Sequence, residues 1–233
     1  MSHKRTALIT GGSRGIGAAI ARELARQGLE IRTPERAELD LSDPSSVTRF
    51  VESQEARMDV LVNNAGINFL KAIPDLDAAT WGQMQQVNLA APLSLIQWAA
   101  PFMRAQKWGR ILNVSSVFSL VTKEKRCAYS MTKAALNALT RSAAVELGPD
   151  GILVNSLCPG YVETPMAQRV RQGYAAHYDT TEEAILERFE AKIPLGRYST
   201  PEEVAALVAY LISDAAAPVT AQAINVCGGL GNY

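Results

Sequence analysis

The chain has 233 residues, of which 23 are basic and 23 acidic, so its formal net charge is zero. That length suits one domain with a full core, and the cancelled charge gives no support to a nucleic-acid or anionic-membrane partner. Cys127, Cys158 and Cys227 lie far apart, and with only His3 and His177 beside them they argue against a metal site. An odd, sparse cysteine count suits a reducing compartment. The apolar run before Thr10 is too short for a signal peptide, and none approaches the roughly 18 residues of a membrane span. The expectation is a cytoplasmic protein.

Thr6 to Thr10 reads as a short apolar strand. The glycine run Gly11-Gly12-Ser13-Arg14-Gly15-Ile16-Gly17 follows at once, then a helical pattern closed by Gly28. Strand, glycine loop and helix together suit a pyrophosphate. The glycines let the backbone come close, and the helix start offers free N–H groups and a positive dipole end. Leu29 to Thr33 reads as a second strand with Glu35 and Arg36 just beyond it. In a dinucleotide-binding fold an acid there reads the ribose 2′-OH of NAD, and an arginine accommodates the 2′-phosphate of NADP. Both types are present. Arg36 with Arg14 makes a two-cation clamp, and the reading is NADP, with NAD as the alternative.

Glu38 to Leu41 reads as a third strand, so close to the second that no helix fits between them. Asp43-Pro44 is an N-cap and first-turn pair for the next helix. A fourth strand, Asp59 to Val62, ends in Asn63-Asn64-Ala65-Gly66. A long helical pattern from about Ala78 to Ala105 carries Asn88, a residue that helix interiors disfavour.

The strand before Asn113-Val114-Ser115-Ser116 feeds a helix in which Tyr129 and Lys133 stand four residues apart, on one face. An ammonium beside a phenol favours the phenolate, which predicts a Tyr129 pKa lowered from about 10 toward neutrality. Such a group exchanges a proton with a carbonyl or alcohol oxygen. Ser116 offers a second hydroxyl to the same oxygen. Ile152 to Leu157 is another strand, ending in Cys158-Pro159-Gly160. The polar stretch that follows, about 161–195, reads as a substrate lid on a single domain spanning 1–233. Thr200 and Glu203 form a capping box, and Gln222 to Val226 closes as the last strand. Alternating strands and helices of these lengths predict an α/β fold, a doubly wound parallel sheet of about seven strands. Each candidate follows a strand's carboxyl end, where such sheets bind ligands.

These motifs, in this order, resemble the classical branch of the short-chain dehydrogenase/reductase family, in particular its 3-oxoacyl-thioester reductases. The resemblance implies a single Rossmann domain that uses NAD or NADP to move a hydride between nicotinamide and a carbonyl or alcohol carbon. By that resemblance Tyr129 is the general acid/base, Lys133 lowers its pKa and holds the nicotinamide ribose, and Ser116, rather than Ser115, steadies the carbonyl oxygen. Asn88 supports a water in a proton relay. Gly11, Ser13, Arg14, Gly15, Ile16 and Gly17 form the pyrophosphate loop, with Arg36 at the ribose and Asp40 and Leu41 at the adenine. Asn64, Ala65 and Gly66 line the adenosine side, and Pro159, Gly160, Val162 and Thr164 the nicotinamide side. Two departures stand out: the missing helix between the second and third strands, and Cys227-Gly228-Gly229 where the family often has an acid before two glycines. The resemblance also implies a homo-oligomer, a dimer or tetramer.

The charges at Lys123, Glu124, Lys125, Arg126, Arg169, Arg171 and His177 point to a polar or anionic substrate such as a sugar, a polyol or a nucleotide-linked sugar. A 3-oxoacyl thioester is the alternative. A binding protein that senses nucleotides without turnover is a remote third.

Overall fold

Short runs buried on both faces form the four central strands, as a parallel sheet covered by helices requires, and the two edge strands are partly exposed. The structure, a computed structural model, describes residues 4–54 and 57–231; His3 lies outside them. The strands are β1 (Thr6–Ile9), β2 (Glu30–Arg32), β3 (Val60–Asn63), β4 (Gly109–Val114), β5 (Ile152–Pro159) and β6 (Ala223–Val226). All pair in parallel, in the order β2-β1-β3-β4-β5-β6. The helices are α1 (Gly15–Arg26), α2 (Pro44–Ser53), α3 (Ala78–Gln85), α4 (Ala91–Ala105), α5 (Cys127–Leu147), α6 (Pro165–Tyr178), α7 (Glu182–Glu190) and α8 (Pro201–Ile212).

Side-chain alternation along the strands divides the core in two. Leu8, Leu61, Ile111 and Val154 pack with α2, α4 and α5, including Phe50, Leu95 and Leu147. Ala7, Ile9, Val62 and Leu112 pack with α1 and α8, including Ile20, Leu24 and Val208. A third apolar cluster lies under α6 and α7, where the Tyr161 ring stacks on Phe189 at 4.7 Å and on Tyr198 at 5.2 Å. The caps follow the sequence. Asp43 accepts the Ser45 N–H, and Thr200 and Glu203 bond reciprocally at the start of α8.

The sheet has six strands among the described residues, close to the seven expected, and Glu38 to Leu41 is a turn rather than a strand. Its backbone is satisfied locally. The Glu35 carbonyl accepts both the Glu38 and Leu39 N–H groups, and Ser46 Oγ accepts that of Asp40. The Asp40 carboxylate in turn accepts the Ser42 N–H and hydroxyl. With those bonds made nearby, the segment needs no ladder, and β2 is left as the edge of the sheet. The helix expected over about 78–105 is interrupted by a π-helical turn at Gln86–Ala90, which contains Asn88.

At the carboxyl ends of the central strands a chain of buried side-chain hydrogen bonds crosses the sheet. Asn63 Nδ2 donates to Asn113 Oδ1 at 2.9 Å, and Asn113 Nδ2 donates to Thr140 Oγ1 at 2.9 Å. Thr140 and Ser156 share a hydroxyl–hydroxyl bond of 2.6 Å. Removing the middle link leaves the buried Asn63 amide donor unpaired and takes a donor from Thr140 Oγ1. We expect Asn113→Ala to cost about 1–3 kcal/mol per orphaned group, read as a lower urea midpoint at unchanged slope.

Candidate functional site

The end of β1 and the end of β3 are clamped together. Thr10 Oγ1 accepts the N–H groups of Asn64 and Ala65, each at 3.0 Å, while Asn64 Nδ2 donates to the carbonyls of Thr10 at 2.9 Å and Gly11 at 3.2 Å. This holds the glycine loop in place. Gly11 and Gly15 have φ of 65° and 55°, in the region side chains avoid, and a Cβ on Gly17 would lie 2.3 Å from the Gly11 carbonyl oxygen. α1 starts with no side-chain cap and no acid in its first turn, so its first N–H groups stay free. Loop and helix start open onto a cavity of about 640 Å³, lined by Gly11, Ser13, Arg14, Gly15 and Ile16 at one end. A dinucleotide pyrophosphate fits these residues: the backbone approach is open and the donors are free, while Gly17 lies outside the lining and packs against the Gly11 carbonyl behind the loop.

Arg36, Asp40 and Leu41 line the same cavity, with Glu35. Arg36 Nε donates to Asp40 Oδ2 at 3.0 Å, and its side chain is 78 % exposed. Hydrogen bonds from Ser42, helped by Arg36, hold the Asp40 carboxyl below the usual carboxylate range. Asn64, Ala65 and Gly66 follow along one wall, and Pro159, Gly160, Val162 and Thr164 along the other. Thr164 caps α6 by accepting the Ala167 N–H, which fixes its place beside Gly15.

Ser116, Tyr129 and Lys133 meet at the far end of the cavity. Ser116 caps a short helical turn by accepting the Phe118 N–H at 3.1 Å. Ser115 also lines the cavity, but its hydroxyl donates to the Lys133 carbonyl at 3.0 Å, tying α5 to the end of β4. Lys133 is 3 % exposed; its ammonium donates to the Val114 carbonyl at 2.8 Å and sits 5.7 Å from the centre of the Tyr129 ring. The expected fall in the Tyr129 pKa is therefore not found. Burial pushes the phenol up, while the Arg126 guanidinium and the Ser116 hydroxyl act the other way. Burial also pulls the Lys133 ammonium down, to about 8. Spacing on the helix put the two side chains on one face, but the lysine reaches past the phenol to a strand carbonyl.

Asn88 is fully buried and does not line the cavity. Its Oδ1 accepts the Ile67 N–H at 2.9 Å, and its Nδ2 donates to the Ile67 carbonyl at 2.9 Å and to Thr132 Oγ1 at 3.1 Å. It joins the π turn, the loop after Gly66 and α5, which gives a mid-helix asparagine its reason.

Of the seven polar residues that suggested a polar substrate, only Arg126 and Arg169 line the cavity. Lys123 lies over the rings of Tyr174 and Phe189, at 4.1 and 4.3 Å, and Lys125 bonds His177 at the surface. The sequence reading missed Asn68, Gln83, Phe118, Tyr161 and Met166 as lining residues. Asn68 had a signal, since it stands two residues beyond Gly66 at a strand end. The phenol's burial has a direct test. Ultraviolet titration of the ligand-free protein, set against Tyr129→Phe, should place the Tyr129 transition above the ordinary tyrosine value of 10.0. A transition near neutrality would overturn the electrostatic account.

Residues 32–231 match the family model described as Enoyl-(Acyl carrier protein) reductase. The chain is 47 % identical over 258 residues to a Streptomyces virginiae protein assigned as the ketoacyl reductase of the monensin polyketide synthase, covering 100 % of this chain and 99 % of that one. That alignment is longer than the 233 residues here, so the relative carries segments this chain lacks. A D-beta-hydroxybutyrate dehydrogenase of Rhizobium meliloti is 35 % identical over 97 % of this chain and 98 % of its own. Among solved structures, an actinorhodin polyketide ketoreductase variant with NADPH superimposes with a TM-score of 0.93 at 34 % identity, covering all of both chains. The chain belongs to the short-chain dehydrogenase/reductase family, and through it to the NAD(P)-dependent oxidoreductases of C=O and CH–OH carbon.

Proposed function

We propose that this protein is an NADPH-dependent reductase of 3-oxoacyl thioesters. The observation that carries the reading is one continuous cavity with the glycine loop at one end and Ser116, Tyr129 and Lys133 at the other. The ketoacyl reductase and the ketoreductase among its relatives support this substrate class, and the NADPH in the ketoreductase structure supports that cofactor. A sugar, polyol or nucleotide-linked sugar has less support, because most of the charges that suggested it sit against rings or at the surface.

When bound, the cofactor supplies a hydride from its reduced nicotinamide ring. Gly11 to Gly17 would hold its pyrophosphate, Arg14 and Arg36 its 2′-phosphate, and Asp40, Leu41 and Asn64 to Gly66 its adenosine. Lys133 would hold the nicotinamide ribose, with Pro159, Gly160, Val162 and Thr164 beside the ring. The chain's own contribution to the chemistry is a proton. Burial keeps Tyr129 protonated near neutral pH, the form a general acid needs to protonate the carbonyl oxygen of a ketone. Ser116 donates a second hydrogen bond to that oxygen, and Arg126 favours the phenolate left behind. The segment 161–195, with α6 and α7, forms the lid over the substrate end.

The test is NADPH consumption with an acetoacetyl thioester, NADH in parallel, by the protein and by Tyr129→Phe. We expect turnover that prefers NADPH and falls about 10²- to 10⁴-fold in the variant, with NADPH affinity retained. Reduction of sugar or polyol ketones without any turnover of the thioester would sink the proposal. Gly17→Ala should weaken NADPH binding about tenfold or more, read by fluorescence titration, because the added methyl must displace backbone.

A further inference from the structure

We propose that Ser119 and Asn137, neither of which lines the cavity, are positioning residues that hold the Ser116 hydroxyl in place for the ketone oxygen. This deepens the proposed function and rests on it for the role of Ser116.

Ser116 stands between two ties to α5. On its amino side the Ser115 hydroxyl donates to the Lys133 carbonyl at 3.0 Å. On its carboxyl side the Ser116 carbonyl accepts the Ser119 hydroxyl at 2.7 Å and the Ser119 N–H at 3.0 Å. The Ser119 oxygen in turn accepts a hydrogen bond of 2.8 Å from Asn137 Nδ2. Asn137 follows Tyr129 and Lys133 at intervals of four residues, so one face of α5 carries the phenol, the ammonium and this amide. Asn137 is buried, and β5 packs against the group through Cys158. The Cys158 sulfur lies 3.7 Å from Asn137 Nδ2 and 3.9 Å from both Asn137 Oδ1 and Ser119 Oγ.

The turn that Ser116 opens, Val117–Ser119, is a single 3₁₀ turn, whose own hydrogen bonds are poor in geometry. Its hold on Ser116 therefore depends on bonds from outside. Ser116 Oγ accepts the Phe118 N–H, which leaves its hydrogen free to donate to a ligand oxygen. Ser119 has one hydroxyl hydrogen and gives it to the Ser116 carbonyl, so its oxygen is left to accept, and the Asn137 NH2 is the donor it takes. The direction of both bonds is fixed by this chemistry. They set the spacing between a hydroxyl carried by the turn after β4 and a phenol carried by α5. In a reacting geometry a misplacement of about 1 Å costs on the order of 10²-fold in rate, so a bond that fixes this spacing is worth more to turnover than to folding.

The experiment is a double-mutant cycle that pairs Ser119→Ala with Ser116→Ala, read as the single-turnover rate of NADPH oxidation at saturating acetoacetyl coenzyme A. We expect Ser116→Ala to lower the rate about 10²-fold, as loss of one donor to a developing oxyanion does. Ser119→Ala should lower it about tenfold in the wild type and less than about twofold in the Ser116→Ala background. The substrate concentration for half-maximal rate and the NADPH Kd should stay unchanged. Ser119→Thr, which keeps the hydroxyl, should restore most of the rate. Asn137→Leu removes the donor at nearly constant volume and should repeat the pattern; where it does not fold, Ser119→Ala, at a half-buried position, carries the cycle alone. Equal losses in the two backgrounds, a Ser119→Ala rate equal to that of the wild type, or a loss that lies in substrate or NADPH affinity would overturn the positioning role and leave the proposed function standing. A wild type that reduces a sugar or polyol ketone and not the thioester would overturn the proposed function. The same cycle on that ketone then decides the positioning role by the same comparison of backgrounds.

Discussion

A parallel sheet covered on both faces brings the polar ends of its strands to one level, out of reach of bulk water, and each must find a partner there. This constraint shapes the site. Thr10 and Asn64 spend their side chains on each other's backbone, and Asn63, Asn113, Thr140 and Ser156 form one line across β3, β4 and α5 to β5. Ser115 and Lys133 do the same at the end of β4. These bonds fix where the strands stop, and so fix a crevice whose walls are backbone. Several side chains that line it are left to meet a ligand, the phenol of Tyr129 among them.

The electrostatics follow from the same lack of water. Burial raises the phenol and lowers the ammonium, so each is driven toward its neutral form. Lys133 keeps a good acceptor in the Val114 carbonyl, and the phenol keeps its proton. A site in this condition is prepared to give a proton, which suits reduction of a ketone. The oxidative direction begins from the phenolate, and that form gains most from Arg126 and from cationic charge brought in by a ligand.

Much of this was legible in the sequence because the relevant signals are local. The glycine spacing, the strand ends and the Tyr129–Lys133 register each depend on a few consecutive residues, and all converge on one cavity. What failed depended on which partner a group finds, near or far, and spacing alone does not give that. The pair Leu39 and Leu41 alternates like a strand, yet Glu35, Ser42 and Ser46 satisfy its surroundings as a turn. Lys133 shares a face with Tyr129, but its destination is a carbonyl on another element. Lys123 and Arg126 look equivalent in a run of charges, and only tertiary packing sends one under the α6–α7 aromatics and the other to the cavity.

The absent outer strand bears on the cofactor end. Residues 33–43 return from an edge strand without a ladder of their own, held by Asp40 and its bonds to Ser42 and Arg36. The Arg36–Asp40 pair is exposed, and such pairs contribute about 0–1 kcal/mol. Asp40 keeps its Ser42 bonds when Arg36 leaves, so release strands no buried charge. A 2′-phosphate offers the guanidinium a doubly charged acceptor in a bidentate geometry, a stronger partner than an exposed carboxylate. On the proposed reading, Arg36 therefore turns from Asp40 to the phosphate at little cost. Glu35, which opposes an added negative charge, is the residue against which that gain is measured.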